Sequence, residues 1–344
     1  MRMLLATYCL CAAALTAAPP ARVAIHAGRL LDPRTGNYTS DVFIVVEGDR
    51  VVSVGASAPA GAMVIDLASE TVLPGLTDCH AHILGNPKDE SSTAGLRMSS
   101  PKAALWGYHN LQTWLDHGFT SLRDAGESDL AYGQLALRDA VKEGLIRGPR
   151  IVSSGNFISV TGGHGDSDVL APDQALARRP NLADTVDQVS EAVRHDLKYG
   201  ADWIKLMATG GVMDPQSDFN VQELSEAQMA RAVEVAHRAG KRVMAHAEGT
   251  EGIKAAVRAG VDSIEHGTMM DEEGAALMER HGTWLDPTLH TFQHGVEKGS
   301  SQGLDPVSVA KGEAILSFQQ PAFERVEGVK PRRIDGIGDD PGMG

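Results

Sequence analysis

Six times between residues 118 and 285 a helix-like stretch ends at a glycine and a short apolar segment follows. Gly118 precedes segment 119–122, Gly144 precedes 150–153, Gly200 precedes 203–207, Gly240 precedes 242–245, Gly260 precedes 261–265 and Gly282 precedes 283–285. Glycine tolerates the left-handed conformation that ends a helix, and regular alternation of helices with strands forces parallel pairing through helical crossovers. With the apolar run before His80, seven such strands can be placed. The pattern predicts an α/β fold, a (β/α)8 TIM-type barrel whose eighth strand is missing, with a doubly wound sheet as the alternative. Upstream, residues 23–70 read as short strands broken by turns such as Glu47-Gly48-Asp49, and predict a small β-sandwich-like segment.

The strand ends carry the unusual residues. His80 and His82 stand two apart at the end of the first apolar run, and side chains at i and i+2 of an extended chain share a face, so the pair can grip one ion. Lys205 interrupts Trp203-Ile204-Lys205-Leu206-Met207, His246 ends the fifth strand and His266 the sixth. Barrel enzymes place their chemistry at these C-terminal strand ends, and four imidazoles there favour a borderline-soft divalent ion such as zinc. A buried lysine loses its proton readily, and the neutral amine can take up carbon dioxide to give a carbamate with two ligand oxygens. An ordinary lysine paired with a carboxylate, or binding an anionic substrate, is the competing reading. His109, His117, His195, His237 and His281 fall in helices or their last turns and are assigned no chemistry.

The stretches Pro74-Gly75-Leu76-Thr77-Asp78-Cys79-His80-Ala81-His82, Thr161-Gly162-Gly163-His164-Gly165, Trp203-Ile204-Lys205-Leu206-Met207-Ala208-Thr209-Gly210-Gly211-Val212, Ala245-His246-Ala247-Glu248-Gly249 and Ser263-Ile264-Glu265-His266-Gly267 resemble the amidohydrolase superfamily, and within it the prolidase-type, Xaa-Pro dipeptidase-like enzymes. The resemblance implies two divalent ions, one on His80 and His82 and the other on His246 and His266, bridged by carbamylated Lys205. It further implies hydrolysis of an amide bond in a dipeptide or N-acyl amino acid, by a hydroxide that bridges the ions. Cyclic amides are an alternative substrate class. His164, in a glycine-rich loop, is expected to contact substrate or to order that loop. Arg123, at the end of the second strand, is expected either to meet a substrate carboxylate or to pair with Asp124 or Glu127.

The family pattern also requires an aspartate in a Gly-Thr-Asp context at the end of an eighth strand. It is not found: after Gly328 the composition shifts abruptly to Pro, Arg, Gly and Asp, and residues 71–318 read as the barrel and 319–344 as an atypical tail. The expectation is a C-terminally truncated or frame-shifted product, and a catalytically impaired metal-binding remnant is the competing function.

Residues 1–18 have the positive start, apolar stretch and small residues of a cleaved export signal, which implies a periplasmic or secreted protein with no membrane association after cleavage. Cys9 and Cys11 would leave with that signal, so Cys79 would stand alone without a disulfide partner. A formal charge of -14 argues against nucleic acid as a partner. A small-molecule substrate is the expected partner, with homo-oligomerisation left open.

Overall fold

The computed structural model describes residues 22–327, apart from 167, 168, 172 and 175–178. Residues 1–18, where an export signal is expected, with Cys9 and Cys11, and the tail from residue 328 onward lie outside the described residues. The chain divides into two units at Gly75 and Leu76.

Among the described residues the first unit holds one four-stranded sheet. Its strands β1 (Arg22–Leu31), β2 (Tyr38–Glu47), β3 (Arg50–Gly55) and β4 (Met63–Val72) lie in the order β3-β2-β1-β4. The neighbours β1 and β2, and β2 and β3, run antiparallel, whereas β4 joins β1 in parallel. Gly48, at a φ of +62°, opens the two-residue connection from β2 to β3, a conformation that suits a tight hairpin and costs glycine little. The packed centre is small, with Ala27, Val42 and Ile44 buried and Ile25, Leu30 and Val72 against them.

The second unit alternates strands and helices. Its strands are β5 (Leu76–Ala81), β6 (Phe119–Asp124), β7 (Arg150–Ser153), β8 (Phe157–Ile158), β9 (Trp203–Met207), β10 (Arg242–Ala247), β11 (Ser263–His266) and β12 (Trp284–Asp286). Its helices are α1 (Ser100–Asp116), α2 (Gly133–Lys142), α3 (Val186–Lys198), α4 (Glu226–Arg238), α5 (Thr250–Ala259), α6 (Glu272–His281), α7 (Thr291–Gln302) and α8 (Pro306–Glu327). Strands β5 to β7 form one parallel sheet and β8 to β12 another, each in chain order. Only Ser154-Gly155-Asn156 separates β7 from β8, so the two are halves of one kinked barrel position that pairs with β6 at its start and β9 at its end. The kink turns on Gly155, whose φ is +73° and whose missing Cβ would stand 3.0 Å from the Asp196 carboxyl carbon.

Counted this way the described residues give the barrel seven strand positions, the seven legible in the sequence. The six glycines of the repeat all hold positive φ, between +68° and +91°. Helix starts are fixed by side chains: Thr185 and Ser225 make capping boxes with Gln188 and Gln228, and Asp271 accepts from the Gly274 N–H at 2.7 Å. Apolar residues on one side of α3 to α6 bury against Ile204, Leu206, Val243 and Ile264 in the largest core cluster. Among the described residues no strand follows β12; the chain continues through α7 and α8, and α8 carries on past residue 318 to Glu327.

Candidate metal centre

Parallel pairing puts every strand's C-terminal end on one side of the barrel, and the expected ligands meet there. Pairing of Met244 with Lys205 and of Ala247 with His266 sets β9, β10 and β11 in register. The imidazoles form a connected set: ring centroids lie 5.3 Å apart for His80 and His82, 4.8 Å for His80 and His266, and 4.8 Å for His246 and His266. Together with Lys205 they line a cavity of about 1040 Å³. His266 sits at φ +70°, a conformation that a non-glycine residue adopts at a cost of roughly 1–3 kcal/mol and that clusters at functional sites.

Each ring has one nitrogen committed. The Gly126 carbonyl accepts from His82 Nδ1 at 2.6 Å, and the Gly210 carbonyl from His246 Nε2 at 3.0 Å. A carbonyl can only accept, so the facing nitrogen carries the proton and the other keeps a lone pair. His80 Nδ1 meets the Glu265 carboxylate at 2.8 Å, and His266 Nδ1 meets the Thr288 hydroxyl at 2.6 Å. Burial, the largest influence at all four, keeps the rings neutral: it pulls His82 down to about 3, lowers His80, and drives His246 and His266 well below the ordinary value. Neutral imidazoles are the form in which histidine binds metal, and at His80, His82 and His246 the partner also fixes the tautomer. Lys205 is fully buried, and burial pulls its ammonium down to about 8, within reach of the neutral amine. This donor set fits a divalent ion.

Beneath the ligands lies a second polar layer. Arg123 donates to both Glu265 oxygens at 2.9 and 2.8 Å, to Ser263 Oγ at 3.1 Å and to the Cys79 carbonyl at 2.6 Å, with Asp286 at 3.4 Å. Its guanidinium also stands over the Trp203 ring at 5.0 Å. Arg123 is therefore committed to the barrel interior; it does not line the cavity, and its carboxylate partners are Glu265 and Asp286 rather than Asp124 or Glu127. Burial alone would push the Glu265 carboxyl up, but Arg123, the His80 hydrogen bond and Lys205 hold it below the usual carboxylate range. Cys79 is a free thiol whose pKa burial raises, which keeps it protonated.

His164 joins the imidazole set, its ring centroid 4.4 Å from that of His246. Its backbone N–H points to the Glu223 carboxylate at 3.0 and 2.9 Å, and its Nδ1 meets Asp214 Oδ2 at 2.5 Å. Gly211 must be a glycine, because a Cβ there would stand 2.3 Å from the His164 ring. Lys311 on α8 ties down the same loop, donating to the carbonyls of Gly211, Asp214 and Ser217 at 2.7, 2.5 and 2.7 Å.

Three carboxylates that the sequence reading gave no role belong to this region: Glu265, Glu248 and Asp214. Burial pushes Glu248 up to about 8, and its Oε1 is buried with no hydrogen-bond partner while Thr268 donates to Oε2. Glu248 and Glu265 interrupt apolar strand ends just as Lys205 does, and the cost of burying a charge was the available signal.

Comparison with known proteins agrees with this geometry. The ochratoxinase of Aspergillus niger is 31% identical over 88% of this chain, and the chain spans 66% of that relative's length. A solved Xaa-Pro dipeptidase with methionine bound in its active site is 32% identical and superposes with a TM-score of 0.81, over 90% of this chain and 78% of that one. A prolidase complexed with N-methylphosphonate-L-proline gives 34% identity and a TM-score of 0.81 over 90% and 76%. Residues 71–344 match the profile of the amidohydrolase family, and the chain belongs to that family.

Proposed function

We propose that this chain hydrolyses an amide bond with the help of two divalent ions, zinc being the expected metal, and that its substrates are dipeptides of the Xaa-Pro or a similar Xaa-amino acid type. The observation that carries the reading is the gathering of four neutral imidazoles and buried Lys205 at the wall of one large cavity. In this reading His80 and His82 would hold one ion and His246 and His266 the other, and carbamylated Lys205 would supply a ligand carboxylate to the pair. When bound, the ions supply Lewis acidity and lower the pKa of water.

The chain's own residues prepare the site. The Lys205 ammonium first gives up a proton; the neutral amine then attacks the carbon of CO2, the N–C bond forming as one C=O π pair moves to oxygen, and the nitrogen releases a second proton, so that a buried cation becomes a buried anion. Glu265 and the Gly126 and Gly210 carbonyls hold protons on one nitrogen each of His80, His82 and His246, which leaves a lone pair on the other nitrogen of each ring. His164, oriented by Asp214, stands where it can hydrogen-bond a substrate.

A second reading, hydrolysis of a bulkier N-acyl amino acid, is favoured by the cavity: about 1040 Å³ is slightly above the roughly 300–1,000 Å³ of drug-sized sites.

The test is turnover of a dipeptide library and a panel of N-acyl amino acids by wild type and Lys205→Ala. The expected outcome is hydrolysis that the substitution lowers by several kcal/mol of transition-state stabilisation, on the order of 10³-fold in rate. Metal uptake without turnover on either panel would favour the impaired remnant. We also propose export, which N-terminal sequencing of the mature protein checks: a protein that retains residues 1–18 would contradict it.

A further inference from the structure

Six buried side-chain atoms among the described residues have no hydrogen-bond partner, and Glu248 Oε1 alone among them belongs to a residue that lines the cavity. A carboxylate oxygen held out of water without a partner is costly, so its place needs a compensating group. Glu248 is wholly buried and cannot swing out to solvent. Its main chain is pinned on both sides, its N–H donating to Thr209 Oγ1 at 3.0 Å and its carbonyl accepting from the Met269 N–H at 3.0 Å. The Thr268 hydroxyl occupies Oε2, which fixes the carboxyl plane and leaves Oε1 free.

The neighbours identify the missing group. One ligand atom each from His246, Glu248 and His266 lie within 4.8 Å of one another. Two other such trios exist among the described residues, His80 with Glu265 and Asp286, and His82 with Asp124 and Glu127. In the first, the Glu265 oxygens are already taken by Arg123, Ser263 and His80. In the second, which has a single imidazole, Asp124 accepts from Ser153 through Oδ2 and, although its Oδ1 is unpartnered, does not line the cavity, and Glu127 Oε1 accepts from the Leu84 N–H. Only the third combines two imidazoles with an unclaimed carboxylate oxygen, and two histidines with one glutamate are a donor set that zinc accepts in open, water-holding sites.

We infer that Glu248 is a further protein ligand of the ion held by His246 and His266, binding through Oε1 while Thr268 orients the carboxylate through Oε2. The inference rests on the metal-centre reading above and deepens it. A dication beside Oε1 resolves the burial of an unpartnered oxygen, and the hydroxyl plays the part that hydrogen-bonded carboxylate ligands usually have filled.

The experiment is a calorimetric titration of the metal-stripped chain with Zn²⁺ in bicarbonate buffer, repeated with Co²⁺ to read ligand-field absorption. Wild type, Glu248→Gln and Thr268→Val are compared, with circular dichroism as the folding check. Glutamine keeps the shape and removes the charge, and a neutral amide is easier to bury than a carboxylate. The expected result is two sites in wild type, with one weakened at least roughly tenfold and its Co²⁺ bands shifted in Glu248→Gln, and a smaller weakening of the same site in Thr268→Val. Two unchanged affinities and an unchanged Co²⁺ spectrum in a folded Glu248→Gln protein would overturn the inference alone. No metal uptake by wild type would overturn the metal-centre reading and the inference with it.

Discussion

Two layers of buried polar groups sit one above the other in the barrel, and they handle charge in opposite ways. In the lower layer Arg123, Glu265, Ser263 and Asp286 satisfy one another, and Glu265 remains ionised because a guanidinium is bonded to both its oxygens. In the upper layer His80, His82, His246, His266, Lys205 and Glu248 are driven toward neutrality by burial, and each ring keeps one nitrogen uncommitted. A closed network of charges specifies the packing of β5, β6, β11 and β12, whereas an open set of neutral donors lacks only an ion to complete it. One Glu265 side chain serves both, since it accepts from Arg123 below and His80 above.

The comparison breaks most visibly at Arg123. Arg123→Met leaves Glu265 buried without its cation, and removing one partner of a buried pair costs about 3–5 kcal/mol. Denaturant unfolding of the metal-free protein should show a loss of that size, while Lys205→Met in the upper layer should leave metal-free stability unchanged or raised. Equal losses for both variants would show that the layers are not distinct.

A smaller effect sharpens the same contrast through pH, in metal-free protein. The folded pKa of Glu265 is lowered from 4.5, so its contribution to stability is present above that value and is lost as pH falls below it. The folded pKa of Glu248 is raised from 4.5 to about 8, so the folded state binds the extra proton and stability falls as pH rises between those values. Glu265→Gln should therefore flatten the acid limb of the stability curve, and Glu248→Gln the decline between about pH 4.5 and 8. Matching pH profiles for the two variants would contradict the assignment of opposite signs.

Much of the architecture was legible because it is local. A glycine at a helix end and an apolar strand a few residues later are written in consecutive residues, as are His80 with His82 and the lysine inside Trp203-Ile204-Lys205-Leu206-Met207. The partner of Arg123 was not legible, because Glu265 lies 142 residues away and strand alternation sends adjacent Asp124 to the other face. Glu265 and Glu248 stood within quoted motifs, yet a glutamate in a strand looks like any surface charge until its burial is known. Lys311 reads as one more helix-surface lysine, and its hold on the Gly211-to-Ser217 loop exists only once α8 has packed there. The fourth strand of the small sheet, β4, was also missed, since its alternation is weak and its pairing with β1 is parallel.

The most direct test of the upper layer as a metal cradle is the number of metal equivalents per chain after equilibration with Zn²⁺ and bicarbonate and removal of free ion. The account predicts two for wild type and no more than one for Lys205→Met, whose side chain fills the same space without a bridging group. A wild-type chain that retains no metal, or a Lys205→Met chain that retains two equivalents, would contradict it.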